Sequence, residues 1–315
     1  MDVITADTIS HVHEISQLDN QYPDPIDYEG SDAVDTVSFT RDSKFLSVES
    51  SFYIGSIWFW RLVDNTLLWH HWASHQATVG DNPISSTQSL IAIGGNDAQV
   101  QLWDQLGHLV KELTGHTESI TTVKFSPDGQ LLASCALDDT VRLWRVADSH
   151  LLQVLRGTDH FGVAFALDGE TLITGIPGGG VGIWQVATGQ LLRNLVSQER
   201  EIFSMALSPN GLLLALGYQD SSIEIRHTQQ GQLLTSLTDA TMPIECLSFN
   251  HDGTVLAAGT NEGSGVRLWR VADGMPFNNL PILEESGVRS IAFSPDGHLL
   301  AVGQDNGFVQ ICGLE

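Results

Sequence analysis

The chain has 315 residues, of which 42% are hydrophobic and 17% charged, so it has ample material for a folded core and is not of the disordered class. Its 14 basic and 38 acidic residues give a formal net charge of −24, which disfavours binding to nucleic acid or to an anionic membrane. Cys135, Cys246 and Cys312 are too scattered for a disulfide framework or a zinc motif, and no leader-like or membrane-spanning apolar run is present. We therefore expect a cytoplasmic protein.

The first predicted element is a strand over residues 9–15, where apolar and polar residues alternate (ISHVHEI). Residues 16–33 follow as an acidic loop with two prolines and no basic residue. From residue 34 to the end of the sequence, at residue 315, the chain is repetitive. The sequence therefore predicts a closing strand, a loop and a repeat region that together form a single domain.

The repeats are most visible in one short motif, a β-branched residue, any residue, an aliphatic or aromatic residue, and usually Trp. Its successive occurrences are separated by 43, 41, 40, 42, 43 and 43 residues. A period in the low forties is typical of a four-stranded propeller blade, and seven occurrences predict seven blades. The motif ends at Trp60, Trp103, Trp144, Trp184, Arg226, Trp269 and Cys312.

A turn precedes most of these motifs by about 16 residues, and it keeps the same phase. The fullest form is SPDG, at Asp128 and Asp296, and an Asp or Asn followed by Gly suits a hairpin turn. An alternating strand lies before each turn and an apolar strand after it. Each repeat therefore reads as strand, turn, strand, short turn, motif strand and a fourth strand.

Together these residues resemble the WD40 repeat family, and the third repeat carries the fullest pattern, with Gly115-His116, SPDG, Asp138 and Trp144. The resemblance covers nearly the whole chain, and its repeat style is similar to that of bacterial members. It implies an all-β, seven-bladed propeller. Because the last repeat ends after its third strand, the strand at residues 9–15 is expected to complete that blade, as in the overlap closure common in this family.

Four residues of the third repeat, His116, Ser134, Asp138 and Trp144, resemble the hydrogen-bond network that the family uses inside a blade. The alternative is a catalytic set, which would need a nucleophile beside the histidine in an open cleft. Buried polar groups must be hydrogen-bonded, and these four residues can bond one another, which favours the structural interpretation.

A metal site is also disfavoured by the pattern of histidines. His70, His71 and His75 lie close together, but adjacent residues of a strand point to opposite faces and do not converge on one ion. The sequence therefore predicts no metal and no cofactor. The aromatic run around Trp69 is interpreted as cover for the outer strand of the first blade or, alternatively, as a contact patch.

Large apolar side chains fall on the loops that enter innermost strands and on those between second and third strands, which share one face of the toroid. If they cluster, they form a protein-binding patch; if they are scattered, they need no explanation. The candidate binding residues are Phe52, Tyr53, Phe161, Phe203, Tyr218 and Met242.

Two functional classes fit the sequence. The first is a non-enzymatic scaffold or assembly subunit that binds a protein or peptide, and the resemblance to WD40 proteins and the lack of a catalytic motif favour it. The alternative is a propeller enzyme with a site at the mouth of the central channel, because residues from different blades can converge without a motif. The acidic charge is explained either by solubility or by a basic partner.

Overall fold

The structure is a computed structural model, and it consists of strands joined by turns. No helix long and apolar enough to cross a membrane occurs in the part of the chain that it describes. It describes residues 3–5, 13–19, 33–50, 56–72, 77–78, 90–159, 162–196, 200–238, 242–260, 265–277, 279–282 and 286–313.

The strands form seven antiparallel sheets, each of which is one blade. Blade 1 comprises β2 (Thr36–Phe39), β3 (Phe45–Ser50), β4 (Ser56–Arg61) and β5 (Thr66–Trp72). Blade 2 comprises β6 (Ala77–Thr78), β7 (Leu90–Gly95), β8 (Gln99–Asp104) and β9 (Leu109–Thr114). Blade 3 comprises β10 (Ile120–Phe125), β11 (Leu131–Ala136), β12 (Thr140–Arg145) and β13 (His150–Arg156). Blade 4 comprises β14 (Val163–Phe165), β15 (Thr171–Ile176), β16 (Gly180–Gln185) and β17 (Leu191–Val196). Blade 5 comprises β18 (Ile202–Leu207), β19 (Leu213–Tyr218), β20 (Ile223–His227) and β21 (Leu233–Leu237).

Blade 6 comprises β22 (Ile244–Phe249), β23 (Val255–Thr260) and β24 (Arg267–Arg270), with two isolated bridges in place of a regular fourth strand. Blade 7 comprises β25 (Val288–Phe293), β26 (Leu299–Gln304), β27 (Phe308–Gly313) and β1 (His13–Asp19). The innermost strands of blades 2 to 7 contact one another in succession, β6 contacts β3 of blade 1, and β25 contacts β2, so the blades close into a ring. The predicted seven-bladed propeller is confirmed.

The turn between first and second strands is fixed by local side-chain hydrogen bonds, shown here for blade 3. The Ser126 hydroxyl donates to Asp128 at 2.6 Å, and the same carboxylate accepts from the Gln130 N–H at 3.0 Å. Gly129 has φ of 68°, which a side chain would strain. The Ser-x-Asp-Gly sequence therefore specifies the turn, because each of its polar or glycine positions meets a local requirement.

The core is divided among the interfaces between neighbouring blades. Between blades 3 and 4, for example, Cys135 and Leu143 pack in one cluster with Phe165 and Trp184. Inter-blade hydrogen bonds reinforce this packing near the channel, where the Ser204 hydroxyl of blade 5 donates to the Ile244 carbonyl of blade 6 at 2.9 Å. Each blade is thus stabilised by its neighbours.

A second series of inter-blade bonds runs around the outside of the ring. At four junctions, the residue of a fourth strand that is opposite the next-to-last residue of the motif donates to a carbonyl in the next blade's turn between third and fourth strands. Trp69 donates to Gln105 O at 2.8 Å, Lys111 to Val146 O at 2.6 Å, Gln153 to Ala187 O at 2.9 Å, and Arg193 to Thr228 O at 3.2 Å. We call these bonds the outer clasps.

The ring is closed by the N-terminal strand β1, which pairs antiparallel with β27 as the outer edge of blade 7. The predicted closure is confirmed, and the strand covers His13–Asp19; of the predicted range 9–15, residues 9–12 lie outside the described chain. The register shifts between Glu14 and Ser16, and Leu18, only 2% exposed, is the residue that enters the interface with blade 1. Residues 16–19 therefore belong to the strand and not to the acidic loop, whose residues 20–32 lie outside the described chain.

A second N-terminal tie lies between blades 6 and 7. Ile4 is fully buried, and its N–H donates to the Gly297 carbonyl at 2.7 Å. The Asn250 side-chain amide donates to the Ile4 carbonyl at 2.9 Å. The N-terminal segment is thus held at two separate junctions of the ring.

Blade 1 contains a buried carboxyl group at a position that is small in the other six blades. Glu49 is opposite Ile57, and the equivalent residues, each opposite the β-branched residue of its motif, are glycine in five blades and Cys135 in blade 3. Glu49 is 1% exposed, and neither carboxyl oxygen has a hydrogen-bond partner among the described residues. Burial, reinforced by Asp35, raises the pKa of Glu49 well above its usual value.

Candidate functional site

The four residues singled out in the third repeat form one connected network in blade 3. The Trp144 indole N–H donates to the Ser134 hydroxyl at 2.8 Å, and that hydroxyl lies 2.8 Å from His116 Nε2. His116 Nδ1 lies 2.9 Å from Asp138 Oδ2. The Ser134 hydroxyl accepts from Trp144, so its own proton can be donated to His116 Nε2, which must then carry no proton. The Asp138 carboxylate needs a donor, so His116 is neutral with its proton on Nδ1.

The electrostatics of the network agree with this assignment. Burial lowers the pKa of His116, against the opposing effect of Asp138. Burial alone would raise the pKa of Asp138, but hydrogen bonds from Thr140, His116 and the Thr117 N–H hold it below its usual value. Ser134 is fully buried, so its hydroxyl is not accessible to a substrate. The geometry is that of a structural tie between strands.

Blade 5 carries a different network at the corresponding place. Arg200 lies over the Tyr218 ring, 3.8 Å from its centre, and donates to Asp220 at 2.7 Å and to Glu224 at 2.9 Å. Arg226, which replaces the motif Trp, donates to Glu224 at 2.8 Å. A buried carboxylate is thus satisfied by two guanidinium groups, as a buried charge requires.

Tyr218 belongs to this network, so its predicted role as an exposed binding residue is wrong. It is the last residue of β19, it has no exposed surface, and its hydroxyl donates to Glu224 at 3.0 Å. Burial, followed by the Glu224 carboxylate, raises the pKa of the phenol. The sequence pattern placed Tyr218 in a loop because it stands eight residues before the motif position, as Phe52 does.

The other candidate binding residues fall into two groups. Phe203, in β18, and Met242, just before β22, are half-buried. One face of the toroid is formed by the loops that enter innermost strands and by the loops between second and third strands, and we call it the upper face. Phe203 lines the mouth of the central channel on this face. Phe52, Tyr53 and Phe161 lie outside the described residues.

Charged residues share the upper mouth of the channel with Phe203. A cavity of about 150 Å³ there is also lined by Asp35, Glu245 and Arg289. Arg289 forms an ion pair with Asp305. Burial raises the pKa of Glu245 above its usual value, with Arg289 opposing and Asp305 reinforcing the shift.

The residues that line this channel mouth occupy the same position in several innermost strands. The strand register shifts in blades 3, 5, 6 and 7, and the shift places one bulge residue between the first and third residues of the innermost strand. Those residues are Thr121, Phe203, Glu245 and Arg289. The signal was present in the sequence as a column about 23 residues before the motif position, but only Phe203 and Phe161 were selected from it, because they are apolar.

The charge of the upper face is mostly negative among the described residues. Its basic residues are Arg156, Arg200 and Arg289, together with Lys124, which lines the cavity at the channel mouth. Its acidic residues are Asp35, Asp97, Glu118, Asp138, Asp139, Asp159, Glu201, Asp220, Glu245 and Asp305.

The opposite, lower face carries the turns between first and second strands and between third and fourth strands. There Arg61, Arg145 and Arg270 each pair with the turn aspartate three residues later. The channel opens on this face into a cavity of about 450 Å³. Phenylalanines at the ends of innermost strands line it but are buried, so they present little surface: Phe39, Phe125, Phe165, Phe249 and Phe293.

No cluster of potential metal ligands occurs within the described ranges. His70 packs instead against Trp58, with ring centres 5.2 Å apart, and His71 is opposite Ile57 on the neighbouring strand.

Comparison with known proteins assigns the repeat. A family model for the WD domain, G-beta repeat, matches residues 107–145, 231–270 and 280–312. The chain carries WD40 repeats. The three matched segments contain the motif strands of blades 3, 6 and 7, so the WD40 match coincides with blades of the structure.

Curated relatives are similar to parts of this chain. The nuclear distribution protein nudF of Aspergillus flavus is 32% identical over 126 residues, which is 38% of this chain and 28% of that protein. The guanine nucleotide-binding protein subunit beta of Oryza sativa subsp. japonica is 33% identical over 135 residues, 39% of this chain and 36% of that protein. The apoptotic protease-activating factor 1 of Rattus norvegicus is 29% identical over 163 residues, 51% of this chain and 13% of that protein. The chain thus spans less than half the length of these relatives.

Proposed function

We propose that the protein is a non-enzymatic interaction module that binds a basic protein or peptide on its upper face. The observation that carries the proposal is the excess of acidic residues in the loops around the upper channel mouth, with half-buried Phe203 and Met242 among them. An apolar anchor surrounded by charge of one sign suits a protein partner of opposite charge, because the charge steers association and the anchor supplies affinity.

The rigidity of the upper face supports the same proposal. The networks centred on Asp138 in blade 3 and on Glu224 in blade 5 hold the adjacent loops by several hydrogen bonds each. A preorganised surface loses little conformational entropy on binding. The relative named as a guanine nucleotide-binding protein subunit is, by that name, part of an assembly, which favours a role in an assembly here as well.

The enzyme alternative receives less support from the geometry. Glu245, an acid–base group at the upper mouth whose pKa is raised, is near Arg289, which is paired with Asp305. The buried hydroxyl of Ser134 is committed to Trp144 and His116. None of these described groups combines an accessible nucleophile with a base at hydrogen-bond distance.

The test is capture of partners from the native source with tagged protein, followed by affinity measurement on the purified partner. Charge reversal of two exposed residues, Glu118→Lys with Glu201→Lys, is expected to weaken binding at least about tenfold and to flatten its salt dependence. Phe203→Ala is expected to weaken it by a similar factor through loss of the anchor. The matched control is Asp148→Lys on the lower face, which should leave binding unchanged.

The result that contradicts the proposal is the reverse pattern. If Asp148→Lys abolishes binding while the upper-face variants bind normally, the partner uses the lower face. A captured small-molecule substrate that the protein converts would instead support the enzyme alternative.

A further inference from the structure

The lower opening of the central channel differs in charge from the rest of the molecule. The cavity of about 450 Å³ there is lined by two basic side chains, Arg41 and Lys124, and by no aspartate or glutamate among the described residues. The whole chain, in contrast, has a formal net charge of −24. A cavity lined by charge of one sign concentrates its field, so this opening attracts anions although the protein as a whole repels them.

Lys124 stands out from the residues at the same position of other blades. In six blades, a described residue of the innermost strand is opposite the third residue of the second strand, and each of these six residues lines the cavity. Only Lys124 among them is large: Ser38, Lys124, Ala164, Ala206, Ser248 and Ala292. Lys124 also lines the upper cavity, so it marks the level at which the two cavities meet. The small side chains around it leave space for a ligand at the inner end of the lower cavity.

Arg41 stands out in the same way at the rim. The second residue of the turn between first and second strands is exposed and lines the cavity in five blades. It is apolar in four of them, as Pro127, Leu167, Pro209 and Pro295, and it is Arg41 in blade 1. Arg41 forms no ion pair with another described residue. Its charge is therefore available to a ligand at the rim.

The carboxylates of the same turns are held in hydrogen bonds within those turns. Asp42, next to Arg41, accepts from the Thr40 hydroxyl at 2.7 Å. Asp128 accepts from the Ser126 hydroxyl at 2.6 Å. These local bonds explain why the turn carboxylates do not line the cavity, although they are close to it in sequence.

The uncharged part of the lining offers mainly apolar contacts. The Ser126 and Ser208 hydroxyls each donate to the polar residue two positions later in their own turns, at 2.6 and 2.8 Å, so their protons are already used. Half-buried Met205 and Leu207 lie deeper in the cavity, and exposed Leu167 lies at the rim. A ligand there finds apolar surface and positive charge together.

We propose that the lower cavity of the channel binds a small organic anion that has an apolar body and one acid group, such as a medium-chain carboxylate. The acid group pairs with the Lys124 ammonium, and the apolar body contacts Met205, Leu207 and the rim, where Arg41 adds attraction. The cavity volume is in the range of small-molecule sites. The site is on the face opposite the proposed protein interaction, so either proposal can fail without the other.

The test uses a matched pair of fluorescent probes with the full chain. The first, 8-anilinonaphthalene-1-sulfonate, has an anionic group on an apolar body, and the second, N-phenyl-1-naphthylamine, is the same ring system without the sulfonate. The anionic probe is expected to bind at least about tenfold more tightly, because only its sulfonate pairs with Lys124. Decanoate should displace the bound probe, whereas decan-1-ol should need a concentration about tenfold higher.

Variants that remove one positive charge locate the probe. Lys124→Met keeps the aliphatic stem and should weaken binding of the anionic probe about 10- to 100-fold, as for the loss of one hydrogen bond to a charged group. Arg41→Met should weaken it only about 2- to 5-fold, because Arg41 is exposed. Lys44→Met is the matched control: Lys44 belongs to the same turn as Arg41 but does not line the cavity, so binding should be unchanged.

A variant at the rim tests the same site if Lys124→Met does not fold. Leu167 is 54% exposed, so Leu167→Asp places a carboxylate at the opening without burying it. It should weaken the anionic probe and leave the neutral probe unchanged. Leu234→Asp is its control, because Leu234 is 43% exposed and lies outside the cavity.

Three outcomes would overturn the proposal. The first is binding of the neutral probe that equals or exceeds that of the anionic probe, and the second is binding of the anionic probe that survives Lys124→Met or Leu167→Asp unchanged in a folded protein. The third is stronger displacement by the peptide acetyl-Leu-Glu-Leu-amide than by decanoate, which would assign the cavity to an acidic side chain of a partner protein. Absence of any probe binding at millimolar concentration also rejects the site.

Discussion

Replacement of Asp138 by alanine is the sharpest test of the blade 3 network. The carboxylate accepts from His116 Nδ1 at 2.9 Å, from the Thr117 N–H at 3.1 Å, and from the N–H and hydroxyl of Thr140 at 3.1 and 2.6 Å. The substitution removes all four bonds but leaves the donors in place. Its cost therefore depends on which donors water can reach.

The magnitude follows from the burial of those donors. The His116 side chain is 1% exposed, so without the carboxylate its N–H would keep only the longer contact to the Thr140 hydroxyl, 3.3 Å away, at a cost of about 1 to 3 kcal/mol. The Thr117 N–H faces solvent, and water can replace its bond, while the Thr140 bonds are intermediate. We expect a total loss of about 2 to 4 kcal/mol in the free energy of unfolding, which is a large part of the typical 5 to 15 kcal/mol.

The assay is urea denaturation followed by tryptophan fluorescence, with Asp128→Ala as the matched control. Asp128 lies in the same blade and also accepts two hydrogen bonds, but it is exposed, so its loss should cost less than about 1 kcal/mol. Equal effects of the two variants would refute the reasoning from burial. Full stability of Asp138→Ala with loss of partner binding would show instead that the network is a functional site.

Three further predictions concern ring closure and buried groups. Removing residues 1–20 should lower the melting temperature and cause aggregation visible by light scattering, because it exposes the edge of β27; an unchanged, monomeric protein would contradict this. Glu49→Gln should raise the melting temperature at pH 8 but change it little near pH 4.5. The raised pKa of Glu49 means that stability is lost as pH increases above the ordinary carboxyl value of 4.5, and identical pH profiles of variant and native protein would disprove it. The three cysteines, Cys135, Cys246 and Cys312, are all buried, and burial raises the pKa of Cys312 to about 12. Their thiols should therefore resist labelling by a thiol reagent until the protein unfolds, and rapid labelling of the native protein would exclude this.

The blade pattern was predictable because it depends on local requirements that repeat. The Trp column and the Ser-x-Asp-Gly turns each fix one strand boundary, and their spacing predicts the number of blades and the shortage of one strand in the last. The bounds of the closing strand were not predictable in the same way. Alternation favours residues 9–15, but the register is set by where Leu18 enters the blade 7 to blade 1 interface, and that depends on contacts with a distant part of the chain.

The candidate site was less predictable for a related reason. Tyr218 and Phe203 are both aromatic residues near loops, but Tyr218 is buried because Glu224 and Arg200 offer it polar partners. Glu224 and Arg200 are at positions where the repeat normally has other side chains. The sequence pattern therefore marks them only as departures from the repeat and does not indicate that they contact Tyr218.

The pairing of β1 with β27 has a consequence for the order of folding. His13 is opposite Gly313, so the two partners of the closing contact are among the most distant residues of the described chain. During synthesis β1 is complete long before β27 exists, and it must wait while six blades form between them. In an unfolded chain, closing a loop of this length costs about 5 kcal/mol by the logarithmic length dependence, so the pairing is favoured only after the intervening blades have brought the two strands together. Blade 7 should therefore be the last to form and, because its edge is unpaired until then, the stage at which a newly made chain is most exposed to association with other chains.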